Sequence, residues 1–339
     1  MWVAALLHRC DQSMSDKDAQ TIMAEAPSLD RKGWLALLAN IGDQSGSFEA
    51  LGDHHWALFN EDSTTLLVSF DSLETICAGK PGELPFTHDL ATQNGWSHLA
   101  LLAEGETWFR DRDVFAYFDR LVDDCFFDAY DQVVFYGTGM GAYAACAYSV
   151  ASPGATVLAV QARATLDPAK AGWDSRDRHR RRLNFTKRYG YAPDMTEGAA
   201  EVFLLFDPRE KEDAMHAALF SGRHVQPIRL PLAGQKVAET LMALNILPKI
   251  LRTAMEGKLT PAGLFGLWRA RRENGAYLRH ILAVVQDTGH PQREEMICRS
   301  VLKRLRAPHF RRHLQKLRQS GELAAAKGDT VANDPAQND

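Results

Sequence analysis

Short apolar runs alternate with amphipathic stretches through the middle of this chain. Ser97 to Ala103, Gln132 to Tyr136, Thr156 to Val160, Val202 to Phe206 and Val225 to Leu230 are runs of strand length. Between them Val114, Tyr117, Phe118, Leu121 and Val122 recur at helical spacing, with Asp111 or Asp113 as candidate N-cap. An Ala-rich helix follows Met140, and another is predicted around Asp213 to Phe220. Strands that lack polar alternation are covered on both faces, and strands separated by helices pair in parallel. The pattern predicts an α/β fold built on a mostly parallel sheet.

The flanks read differently. Residues 15–50 are a polar helix and loop with Leu35, Leu37, Leu38 and Ile41 as an apolar face. His55 to Phe59 and Thr64 to Phe70 predict two strands of a hairpin around Asn60-Glu61-Asp62. The Arg-rich stretch 168–198 interrupts the alternation and reads as an insertion between strands. From about 237 only helices are predicted, punctuated by Gly257, Pro261, Gly289, Pro291 and Pro308. The expected organisation is an N-terminal extension (1–62), a core (63–250), a helical C-terminal region (251–318) and a disordered tail of small polar residues (319–339).

Charge changes this picture only locally. The chain of 339 residues has a net charge of −4, so it is not a nucleic-acid binder by overall charge. Residues 249–318 nevertheless carry 16 Lys/Arg against 5 Asp/Glu. Such a basic helical face either engages phosphates or pairs with the acidic remainder of the chain. No apolar run nears the roughly 18 residues of a membrane span. Trp2 to Leu7 is too short for a signal core, and Met14 is a second candidate start. The five cysteines, Cys10, Cys77, Cys125, Cys146 and Cys298, show no C-x-x-C spacing, which fits a reducing cytoplasm and small buried hydrophobes. His54 and His55 are adjacent on a strand and point to opposite faces, so no metal site is expected.

The chemistry-bearing stretch is Val133 to Ala145, where an apolar run meets Gly137-Thr138-Gly139-Met140-Gly141 and then the Ala-rich helix. This is the layout of a nucleophile elbow, G-x-S-x-G, with glycine where serine belongs. Over residues 64–250 the chain resembles the α/β-hydrolase superfamily. The resemblance implies an elbow flanked by Gly137 and Gly141, with Gly139 at the nucleophile position. Asp207 sits where the family places its acid, with Asp213 as the second choice, and Gln235 where it places its histidine. Glutamine does not titrate near neutral pH and cannot act as a general base. The triad is thus read as degenerate and the protein as a pseudo-hydrolase. An oxyanion-type pocket survives in this reading. Its donors are the Met140 amide and the loop after Ser97–Ala103, near Gly105, Glu106 and Thr107. It would take a small acyl or anionic ligand; a protein partner is the other expectation. By the same resemblance the insertion is a lid, with Arg180, Arg181 and Arg182 facing the ligand and Phe185, Tyr189 and Tyr191 as anchors. The chain is also similar to bacterial proteins that carry the name phosphoadenosine phosphosulfate reductase. It has neither their Ser-Gly-Gly-x-Asp-Ser phosphate loop nor a C-terminal cysteine motif.

Two other readings use the same residues. Gly137-x-Gly139-x-x-Ala142 is also a dinucleotide fingerprint, with Arg163 placed for the 2′-phosphate of NADP. Alternatively, the nucleophile is displaced to Thr138, Cys146 or Ser149. Asp213 and His216, three apart on one helix, then either meet or share a solvated surface.

Overall fold

The computed structural model describes residues 31–77, 84–180 and 182–319. Eight strands form one sheet: β1 (Gly46–Leu51), β2 (His55–Asn60), β3 (Thr65–Ser72), β4 (Ser97–Ala103), β5 (Gln132–Thr138), β6 (Thr156–Val160), β7 (Glu201–Phe206) and β8 (Val225–Arg229). Their order is β1-β2-β4-β3-β5-β6-β7-β8. β2 runs antiparallel to β1 and β4, and every other pairing is parallel. The architecture is α/β, with a largely parallel sheet, an Arg-rich region and a helical C-terminal stretch.

The strand-period alternation sorts β5 between two cores. Val133 and Phe135 face the helices Arg112–Asp123 and Met140–Tyr148, where Phe70, Phe118 and Tyr148 stack. Val134 and Tyr136 face the opposite layer, with Val237, Leu241, Ile250 and Leu251. Asp111 caps the Arg112–Asp123 helix by accepting from the Asp113 amide, which decides between the two predicted caps. The last three helices, Gly275–Gln286, Pro291–Leu302 and Pro308–Gln319, share a small core of their own around Leu282, Cys298 and Phe310.

Three expectations are corrected. The segments at 55–60 and 65–72 are strands but not a hairpin, because β4 lies between them. The hairpin is β1–β2, and β1 hid in a stretch read as polar helix and loop because its side chains are mostly only half-buried or exposed. The boundary at 62/63 therefore falls inside the sheet, since residues 46–60 supply its β1–β2 edge. Cys125 is exposed, whereas Cys146 and Cys298 are buried. Cys10, Arg181 and all but residue 319 of the predicted tail lie outside the described residues. Among the described residues no helix is long and apolar enough to cross a membrane, and no group of three His, Cys, Asp or Glu is placed to hold a metal ion.

Candidate functional site

The elbow forms where β5 ends among the carboxyl ends of its parallel neighbours, the usual place for a ligand crevice in such sheets. A Cβ on Gly137 would lie 2.2 Å from the backbone of Gly141, and one on Gly141 would lie 2.2 Å from the Phe70 carbonyl oxygen. These two glycines let strand, turn and helix touch. Gly139 differs. It sits at φ 54° and ψ −113°, a conformation glycine takes without steric cost, and a Cβ there would meet nothing within 4 Å. The vertex of the turn has room for a side chain and carries none. The Gly139 amide donates to the Val160 carbonyl at 2.9 Å, which ties the turn to β6.

The space above the elbow is a cavity of about 640 Å³. Thr138, Gly139, Met140 and Gly141 line it, as do Gln235 and Arg180. Among the described residues no histidine or cysteine lines it. Four carboxylates among the described residues line it, Asp71, Glu74, Glu106 and Glu239, against two cations, Arg180 and Lys236. Both cations are engaged: Arg180 Nε donates to Glu106 at 2.8 Å and Lys236 Nζ to Glu239 at 2.7 Å. Hydrogen bonds from Arg180 and His179 hold the Glu106 carboxyl below its usual range.

β3, not β4, borders the elbow strand, and two amides expected as oxyanion-type donors after β4 already have acceptors. Of the loop after β4, the Gly105 amide donates to Glu74 Oε1 at 2.6 Å and the Thr107 amide to the Gly105 carbonyl at 3.0 Å. The Met140 thioether accepts the Trp108 amide at 3.0 Å.

Asp207 is buried, and both oxygens are taken by backbone. Oδ1 accepts from the Arg209 amide at 3.0 Å and Oδ2 from the Gly234 amide at 2.8 Å. It therefore adjoins the loop that carries Gln235 but does not line the elbow cavity. It lines a second cavity of about 700 Å³ on the other side of the Gln235–Lys236 segment, against the Gly275–Gln286 helix. Gln161, at φ 57°, fastens this loop. Its side chain donates to the Gln235 carbonyl and to Asp213 Oδ2, each at 2.8 Å, and accepts from the Val237 amide at 2.9 Å.

The arginines expected to face an anion are mostly spent on internal carboxylates. Arg163 lines neither cavity; its Nε lies 2.9 Å from Asp177 and its guanidinium sits over Trp108. The dinucleotide reading thus loses its free cation. Arg176 bridges Asp174 (2.8 Å) and Asp213 (2.6 Å), and Arg188 pairs with Asp119. Phe185 and Tyr189 are buried and anchor the insertion.

The displaced-nucleophile readings meet a similar outcome. Cys146 is fully buried, and burial pushes its thiol far above the usual range. Ser149 is buried and donates to the Cys146 carbonyl. Asp213 and His216 do not share a solvated surface; both are buried. His216 Nδ1 accepts the Ala164 amide at 3.2 Å, so Nε2 carries the proton and donates to Asp174 Oδ2 at 3.0 Å. Both ring nitrogens are occupied. Burial alone would raise the Asp174 pKa, but hydrogen bonds from His216 and Arg176 hold the carboxyl well below its usual range.

Sequence reasoning missed Asp71, one residue beyond the predicted end of its strand. It is half-buried at the cavity floor. Its Oδ2 accepts from Ser69 Oγ at 2.9 Å and Thr87 Oγ1 at 3.4 Å, and Ser69 Oγ lies 3.0 Å from His98 Nε2. Burial pushes the Asp71 carboxyl up to about 6, against the two hydroxyl bonds. The available signal was a polar residue closing an apolar strand at the sheet's carboxyl edge.

No protein-family model matches this chain, and no curated protein does. Solved structures are similar to it at low identity. An esterase from Pyrobaculum calidifontis is 12% identical over 73% of this chain and 100% of its own, with a TM-score of 0.40. Carboxyl esterase 2 of the fungus Tuber melanosporum is 10% identical over 60% of this chain and 80% of its own, with a TM-score of 0.36. A glycosylation-associated protein complex from Streptococcus agalactiae gives 11% identity over 61% of this chain and 45% of its own, with a TM-score of 0.39. These superpositions are loose, and the fold is read from the chain's own strand order and elbow.

Proposed function

We propose that this protein is a pseudo-hydrolase: its elbow cavity binds a small ligand without the covalent step of a serine hydrolase. The observation that carries the reading is Gly139, which holds an elbow conformation with open space where the attacking oxygen would stand. An acyl-enzyme needs a nucleophile and a base in hydrogen-bond reach. Among the described residues neither a histidine nor a cysteine lines this cavity, so none of them sets an imidazole beside the Thr138 hydroxyl there. The acyl half of the expected ligand suits the first-turn amides of the helix that starts at Met140. The anionic half does not suit a lining in which, among the described residues, carboxylates outnumber cations.

Exposure to a fluorophosphonate probe and to a panel of p-nitrophenyl esters tests this reading. No adduct and no turnover are expected. In a thermal-shift screen, stabilisation by a small ligand should vanish in Gly139→Leu, whose side chain fills the open space. A covalent adduct on any cavity side chain would refute the proposal.

A further inference from the structure

Resting on the ligand-binding reading above, the next question is what ligand chemistry the cavity selects. The elbow cavity does not end at its floor. A second space of about 360 Å³ adjoins it, and Asp71, Thr75, Thr138, Ala238 and Glu239 line both. The remaining walls of this annex are apolar: Ile76, Leu84, Pro85, Phe86, Tyr136 and Met242 with Leu247. Phe86 and Tyr136 stand edge to face, 5.8 Å apart, which gives the annex an aromatic corner. Both volumes are of small-ligand size.

The charge at the junction is one-sided among the described residues. Of these no Lys, Arg or His lines the annex, yet two carboxylates do. Glu239 has Lys236 as its partner. No described residue sets a cation beside Asp71. Its Oδ2 is held by hydroxyls alone, and among the described residues no donor meets Oδ1. The donors behind it point one way. With Ser69 donating to Asp71, the Ser69 oxygen is left to accept from His98 Nε2. This arrangement supports a carboxylate rather than a second donor at the cavity surface. An unpaired carboxylate at an apolar mouth discriminates by charge: it favours a cation, tolerates a neutral donor and rejects an anion.

We propose that the annexed elbow cavity is a site for a small organic amine, with its ammonium group on Asp71 and its aryl or alkyl body among Ile76, Phe86, Tyr136 and Met242. The elbow and its first-turn amides then face the ligand's other end. No bond is made or broken.

Calorimetric titration of the full chain with three isosteres tests this: 3-phenylpropylamine, 3-phenylpropan-1-ol and 3-phenylpropanoate. The amine is expected to bind at least about tenfold tighter than the alcohol, as a charge-assisted hydrogen bond implies, and the carboxylate weakest. Asp71→Asn should bring amine and alcohol within about threefold of each other. Ala238→Leu, which narrows the passage between the two spaces, should weaken both alike. Equal binding of the three by the unaltered chain, preference for the carboxylate, or no binding of the amine overturns the proposal without any variant. Those outcomes leave the pseudo-hydrolase reading standing, because that reading falls only to a covalent adduct or to turnover.

Discussion

Asp207 grips the Gly234 amide at 2.8 Å and so fastens the loop that carries Gln235. Asp207→Ala removes the acceptor of two backbone amides, Arg209 and Gly234. The expected cost is about 2 kcal/mol in urea denaturation, the range for buried bonds to a charged group. Amide exchange at Gly234 should accelerate well beyond the global effect. Unchanged protection there would show that the loop is held by Gln161 alone.

The three elbow glycines should respond unequally. Gly137→Ala and Gly141→Ala place a methyl 2.2 Å from backbone atoms and are expected to destabilise the fold severely or abolish soluble expression. Gly139→Ser should fold, at a cost of about 1–2 kcal/mol for its positive φ. It should not gain esterase activity, since no imidazole among the described residues lines the cavity. Denaturation midpoints and p-nitrophenyl acetate turnover of the three variants check both statements.

Much of the frame was legible. The apolar runs of β4, β5 and β6 marked these strands because burial on both faces leaves no room for polar alternation. The elbow was visible because two backbone contacts demand glycine at 137 and 141. Pairing was not legible. Nothing in His55–Phe59 or Thr64–Phe70 says that β4 comes between them, since strand order depends on contacts with residues distant in sequence. Charge partners were hidden for the same reason. Arg163 looked placed for a phosphate until the fold set Asp177 beside it. Asp71 was passed over because a lone acid at a strand end gains meaning only from the walls around it.

Acid should destabilise the protein through His98. Burial takes this imidazole from 6.5 down to about 3, so the unfolded chain binds the proton first. The stability this group contributes is complete above about pH 6.5 and is lost as pH falls towards 3. Asp71 acts in the opposite sense. Burial raises it from 3.8 to about 6, so the folded chain keeps the proton between those values and this group costs stability as pH rises through them. His98→Gln is expected to flatten the fall of the urea midpoint between pH 6.5 and 4, and Asp71→Asn to steepen it. Parallel pH profiles for all three proteins would contradict both assignments.

Arg176 is the cation between two buried acids, Asp174 and Asp213. Arg176→Ala removes the short ion pair from both carboxylates and should cost about 3 kcal/mol. The loss should be smaller in an Asp213→Asn background, where one of the two charges is already gone. A thermodynamic cycle of the four proteins by chemical denaturation measures that coupling. Purely additive losses would mean that the pair does not act as a unit.

The clearance around Gly139 separates two kinds of inheritance. Its neighbours at 137 and 141 are pinned by the frame, so selection for a folded chain is enough to preserve them. The vertex answers only to the milder cost of its positive φ, and a glycine codon can become a serine codon by a single base. A scaffold of this kind can fall silent, drift, and still present the same socket to a later side chain.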